Sequence, residues 1–176
     1  MKVFLDRTQA IDFYFLVFFV SLITERIIST FLIPKPSPSR RIYHKYFFFI
    51  LLFFYLLIVV VSFSNYFMIG SLSKLTSLAG LIVMTGGIVL RNMAIYTLGP
   101  YWSVFVEIKK DHKLVKKGVY KYFKHPYYLA VLLELIGFAL FCNSYVALAL
   151  IVGIQIPLLM VRIFYEEKTM RIYFRR

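Results

Sequence analysis

Cysteine is all but missing. Cys142 is the only one in 176 residues, so neither an intramolecular disulfide framework nor a cysteine-rich metal site can be built. Histidine occurs three times, at His44, His112 and His125, without the close spacing of a metal cluster. No metal is expected. Charge of either sign is scarce, at 16% of residues against roughly 25% in soluble domains. So few charges cannot cover a water-soluble surface. Apolar and aromatic bulk takes their place: the chain is 61% hydrophobic and 19% aromatic, with a mean hydropathy of +0.77. These figures also exclude intrinsic disorder. An integral membrane protein remains.

Acidic residues are rarer still, eight against 21 Lys and Arg, for a net charge of +13. Such an excess could serve nucleic acid. Here, however, the basic residues fall in blocks between long apolar runs, which membrane topology explains better. No nucleic-acid partner is expected. Asp6 and Asp12 interrupt the N-terminus, and no small-residue cleavage site follows the first apolar stretch, so a signal peptide is not expected.

A membrane helix needs about 20 apolar residues. The first candidate covers residues 11–33, and a Pro/Ser/basic loop over 34–45 ends it. The second covers 46–73, where no charge occurs, and the third 75–98, with Arg91 near its end. Residues 126–161 carry one charge, Glu134, and are too long for one helix. Cys142-Asn143-Ser144 offers a turn at their middle. The expected fold is therefore all-α, with about five transmembrane helices. The last two form a helical hairpin, the second of them bent at Pro157.

Charge distribution supports five spans. With the 34–45 loop inside, sixteen of the 21 basic residues fall on the cytoplasmic side: in that loop, in residues 99–125 and in the C-terminal tail. The positive-inside rule then predicts an external N-terminus and a cytoplasmic C-terminus. One transmembrane domain over 1–176 is expected, with 1–90 mostly scaffold and 91–176 the functional core.

The segment Asp111-His-Lys-Leu-Val-Lys-Lys-Gly-Val-Tyr-Lys-Tyr-Phe-Lys-His-Pro-Tyr-Tyr128 interleaves lysines with apolar and aromatic residues. By composition it is an interfacial amphipathic segment, its lysines drawn to membrane lipid. Three details go further. Gly118 marks a tight turn. His125 precedes a proline and is biased to extended backbone. Pro126 suits the first position of a helix that Tyr127 and Tyr128 continue.

The string His-Lys-Leu-Val-x-x-Gly-Val-Tyr-x-x-x-Lys-His-Pro-x-Tyr resembles the signature of the isoprenylcysteine carboxyl methyltransferase family. Upstream, Arg91-Asn-Met-Ala-Ile-Tyr-Thr-Leu-Gly-Pro-Tyr-Trp-Ser103 is similar to the stretch that precedes it in bacterial-type members. Downstream, Arg162-Ile-Phe-Tyr-Glu-Glu167 resembles the family's Arg-x-x-x-Glu element. Ala130 stands where a glycine often occurs, and Lys124 where an arginine is frequent. The resemblance implies a membrane O-methyltransferase using S-adenosylmethionine, its cofactor site at the cytoplasmic boundary of a bacterial cell membrane. His112, Lys113, Leu114, Val115 and Tyr120 would line the cofactor, and His125, Pro126, Tyr127 and Tyr128 would form the opposite wall. Glu166 would hold a cationic part of the cofactor. Arg162 would orient the anion of a prenylated or other lipid-like acidic substrate, including the enol of a long-chain pyrone.

The residues themselves are compatible. Arg162 and Glu166, four apart, share a helix face. A cationic cofactor wants a carboxylate, and an anionic substrate wants a guanidinium fork. Glu167, roughly 100° round the helix, is a second candidate acceptor. Glu134 is an intramembrane carboxylate and hence a functional candidate. Arg91 either snorkels or meets a site carboxylate. Gly86-Gly87 reads as a helix-packing contact. Two other functions stand beside this one: a nicotinamide-dependent membrane reductase of sterol-reductase type, and a non-catalytic membrane assembly protein.

Overall fold

The computed structural model describes residues 19–20, 23–28, 39–43, 45–68, 73–103, 106–109 and 115–174. The chain divides into two compact units, Met1–Lys35 and Pro36–Arg176. In the first, the described residues are helical, and the Thr24 hydroxyl donates to the Val20 carbonyl at 2.8 Å. The rest of the first predicted span lies outside the described residues.

The second unit runs β1 (Ser39–Tyr43), α1 (Lys45–Met68), α2 (Lys74–Leu98), β2 (Val106–Lys109) and α3 (Pro126–Phe141). One long helix then closes it: α4 (Tyr145–Leu150), a π turn (Ile151–Gln155) and α5 (Ile156–Phe174). Helix dominates, as expected. The two short strands are an addition, pairing antiparallel with Ile42 opposite Glu107 and Tyr43 opposite Val106. Their pairing joins the basic loop before α1 to the segment between α2 and α3.

Among the described residues, three helices are long and apolar enough to cross a membrane: Tyr46–Met68, Lys74–Tyr101 and Tyr145–Ile172. α3 has 16 residues, roughly 24 Å at 1.5 Å per residue, against a hydrocarbon core of about 30 Å. The outer face of α1 exposes Phe49, Phe53, Leu56, Val60 and Phe67, a surface suited to lipid tails. Polar side chains in α1 bond to their own helix. Ser62 donates to the Ile58 carbonyl at 2.9 Å and Asn65 to that of Val61 at 3.0 Å, which lowers the cost of placing them in an apolar medium.

The tightest packing joins α2 to α3. A Cβ built on Gly80 would lie 2.3 Å from the Phe141 nitrogen, and one on Gly137 2.4 Å from the Met84 nitrogen. The two backbones therefore meet directly, as small residues allow in membranes. Gly80 faces the end of α3 while Gly87 faces Glu134 and Ala130 nearer its start, so the helices run antiparallel. Gly87 is the packing glycine of the Gly86-Gly87 pair; Gly86 has open space beside it. At the far end the Ser77 hydroxyl donates to the Phe141 carbonyl at 2.9 Å, and Asn143 Nδ2 donates to Ser77 at 3.0 Å. Those bonds satisfy groups that a helix terminus would otherwise leave unpaired.

Asn143 adopts φ +51, a left-handed conformation that asparagine tolerates better than most residues. Ser144 then caps α4, its side chain accepting from the Ala147 N–H. The chain thus turns at the expected place, and Ile58, Leu135, Ala139, Ala147 and Ile151 form the apolar core beside it. The π turn sits immediately before Ile156 and Pro157, where the missing proline N–H removes a regular helical bond.

Candidate active site

Four segments converge at one end of the α2–α3 pair. α2 stops at Gly99, whose φ of +52 turns the chain into a short 3-10 turn, Gly99–Tyr101, containing Pro100. This turn delivers Trp102, which is buried, onto the ring of Tyr127: their centroids are 4.4 Å apart at 58°. The second segment turns at Gly118, whose φ is +57 and whose missing side chain makes room for Thr97 of α2. The following 3-10 turn, Gly118–Lys121, buries Val119. Tyr120 is half-buried in the same turn; burial first, and then the negative charge of Glu166, push its hydroxyl well above the ordinary value. Tyr120 therefore stays protonated and is a hydrogen-bond donor at neutral pH.

α3 supplies the third segment. His125 precedes the helix at φ −131 and ψ 63, short of the extended backbone the sequence predicts, while Pro126 takes the expected first helical position. The fourth is α5. Tyr128 links it to α3: its hydroxyl donates to Glu166 Oε2 and accepts from Arg162 Nε at 3.1 Å. The Arg162 guanidinium carbon also lies 5.4 Å from the centre of the Tyr128 ring, within cation–π range. One phenol thus joins the guanidinium and the carboxylate of a single helix face.

Glu167 has a different task. Its carboxylate accepts from Lys124 Nζ at 2.6 Å and meets His125 Nε2 at 3.0 Å, with Arg171 Nη2 at 3.8 Å. The His125 ring stacks on Tyr128, with centroids 5.8 Å apart at 30°. Glu167 therefore fixes the histidine against the tyrosine. Lys124, where the resemblance favours arginine, supplies a partner for that same carboxylate.

Arg91 is buried and meets a carboxylate, that of Glu134. Its Nε lies 2.7 Å from Glu134 Oε1, with the two side chains 1% and 8% exposed. The two intramembrane candidates thus pair with each other, between α2 and α3, beside Gly87. Each charge was visible in the sequence, but the partnership was not. Trp102 was also overlooked, although it lies within the quoted stretch that precedes the signature. The roles expected of His112, Lys113 and Leu114 fall outside the described residues, while Val115 is half-buried.

Comparison with known proteins follows the same stretch of chain. Residues 78–172 match the Isoprenylcysteine carboxyl methyltransferase (ICMT) family, more than half of the sequence and every segment that builds this site. The chain belongs to that family. It is 34% identical over 100 residues to Protein-S-isoprenylcysteine O-methyltransferase B of Arabidopsis thaliana, covering 55% of this chain and 50% of that protein. Protein-S-isoprenylcysteine O-methyltransferase of Saccharomyces cerevisiae (strain ATCC 204508 / S288c) is 33% identical over 104 residues, 58% of this chain and 44% of the yeast protein. Uncharacterized protein YpbQ of Bacillus subtilis (strain 168) is 38% identical over 85 residues, 48% of this chain and 51% of that protein. The matches span about half the length of these relatives.

Proposed function

We propose that this ICMT-family protein is an S-adenosylmethionine-dependent membrane O-methyltransferase. Its acceptor is the carboxylate of an isoprenylcysteine-like or other acidic lipid-like substrate, a long-chain pyrone enol included. The observation that carries the reading is the Tyr128 bridge: its hydroxyl bonds both Arg162, suited to an anionic acceptor, and Glu166, suited to a cationic cofactor.

The donor set fits that cofactor. Glu166 and the hydroxyls of Tyr120 and Tyr128 can hold an amino-acid moiety, while Trp102, Tyr127 and His125 give aromatic faces for a purine or a sulfonium. Val115 with His112, Lys113 and Leu114 would complete the cradle, opposite Pro126. Bound S-adenosylmethionine supplies an electrophilic methyl group on a positively charged sulfur.

The protein's part is positioning. Arg162, held by Tyr128, fixes the acceptor anion through a planar fork of donors. A carboxylate is already ionised at neutral pH, so this chain needs no general base. Trp102 and Tyr127 close one side against water, which strengthens every charge interaction within. The five-span arrangement with a C-terminal hairpin belongs to the same reading. The β1–β2 pairing supports it by keeping the loop before α1 and the segment after α2 on one side of the membrane. Sixteen of 21 basic residues make that side cytoplasmic.

The test uses purified protein in lipid nanodiscs, titrated with S-adenosylmethionine, S-adenosylhomocysteine and NADPH while the emission of Trp102, the only tryptophan, is followed. Both adenosyl compounds should bind, and Glu166→Ala should abolish that binding. Arg162→Ala should bind normally and fail to methylate an isoprenylcysteine analogue. Binding of NADPH alone would sink the proposal.

A further inference from the structure

The lysine-rich turn has two faces, and only one belongs to the site. Val119 is buried and Tyr120 half-buried. The opposite face carries Tyr122 at 77% and Phe123 at 45% exposure, flanked by the exposed Lys116, Lys117, Lys121 and Lys124. Lys124 is engaged by Glu167, and Lys121 Nζ lies 5.8 Å from the centre of the Tyr122 ring. Gly118 seats the turn against Thr97 in the last turn of α2, and Pro126 begins α3 directly after it. The patch therefore stands where two apolar helices emerge.

We propose that this face docks on the anionic phospholipid of the membrane surface, with Tyr122 and Phe123 set among the headgroups. The surface has the matching chemistry. Aromatic rings with an apolar body settle at the interfacial level, and lysine stems lie along it with the charge in the headgroup layer. Anionic headgroups attract juxtamembrane lysines on the order of fivefold for each one near the surface. An acidic protein would match the lysines but not two exposed rings at the rim of a membrane domain. The 124–125 end of the turn is tied by Glu167 to the helix that carries Glu166 and Arg162, so the docked face and the site share one rigid corner.

The experiment reads lipid contact and needs no turnover, so it is independent of the methyltransferase proposal. Trp102→Phe/Tyr122→Trp protein is placed in nanodiscs carrying brominated phosphatidylglycerol or brominated phosphatidylcholine at equal mole fraction. Quenching should be several-fold stronger with phosphatidylglycerol. Adding Lys116→Gln, Lys117→Gln and Lys121→Gln should bring the two lipids level. Equal quenching in the parent, or none by either lipid, would overturn the proposal, since the ring would then face uncharged lipid, water or protein. Loss of the preference on adding soluble glycerol 1-phosphate would also overturn it, leaving a phosphate site instead. If the tryptophan swap does not fold, native mass spectrometry of wild-type protein from mixed-lipid nanodiscs decides. Phosphatidylglycerol should be retained over phosphatidylcholine, and retention no greater than for phosphatidylcholine rejects the docking surface.

Discussion

Replacing Arg91 with methionine should unfold this protein far more readily than replacing Arg91 and Glu134 together. The two side chains meet at 2.7 Å with 1% and 8% exposure, and they sit where a Cβ on Gly87 would already touch the Glu134 backbone at 2.8 Å. Removing one member of a buried pair leaves an uncompensated charge, at a cost of about 3–5 kcal/mol. Replacing both by apolar groups of similar volume is often neutral or stabilising by roughly 1–4 kcal/mol, because two desolvation penalties disappear together. Arg91→Met and Glu134→Leu alone should therefore each be severe, and the double variant should recover most of the loss. The coupling in a double-mutant cycle should be on the order of 3 kcal/mol or more. The assay is SDS-titrated unfolding in mixed micelles, followed by Trp102 emission with the same chain concentration throughout. Single variants costing under about 1 kcal/mol, or losses that simply add in the double, would show that the pair is solvated or replaceable.

Three further outcomes follow from the same structure. Gly137→Ala should be strongly destabilising, because its Cβ would lie 2.4 Å from the Met84 nitrogen, whereas Gly86→Ala, with nothing nearby, should be tolerated or gain up to about 1 kcal/mol in helix propensity; the same unfolding titration separates them. Gly118→Ala should cost about 1–2 kcal/mol for the left-handed backbone alone, with a clash at 2.9 Å from Thr97 Oγ1 added, and should blue- or red-shift Trp102 emission as the turn moves. Tyr128→Phe removes hydrogen bonds to both Glu166 and Arg162, each worth about 1.5–3 kcal/mol when one partner is charged; it should weaken S-adenosylhomocysteine binding at least tenfold in calorimetry, and unchanged affinity would remove the bridge from the site.

How much of the site was legible follows from what kind of contact makes it. Pro126 at the start of α3, Gly118 in a left-handed turn and the reversal at Asn143 are local features. Each depends on the backbone freedom of one residue, so the sequence is enough to place it. The Arg162–Glu166 spacing is legible for the same reason, since a helix turn sets it. The partner of Arg91 is 43 residues away and that of His125 is 42 residues away; no periodicity carries such information. Trp102 looked like part of a motif, and only the Gly99 turn shows that it meets Tyr127.

By itself, then, the scarcity of charge determined the medium: with 16% charged residues and long apolar runs, the chain can only place its helices in lipid. The order of segments was also legible there, and a helix turn sets the spacing of Arg162 and Glu166, whose expected roles came from the resemblance. The tertiary structure decided which charges face each other. Close approach of α2 and α3 at Gly80, Gly87 and Gly137 brings Arg91 onto Glu134. The return of the final helix sets both Arg162 and Glu166 on the hydroxyl of Tyr128. In a medium where no buried charge can stay unpaired at low cost, each charge needs a partner, and only packing chooses it.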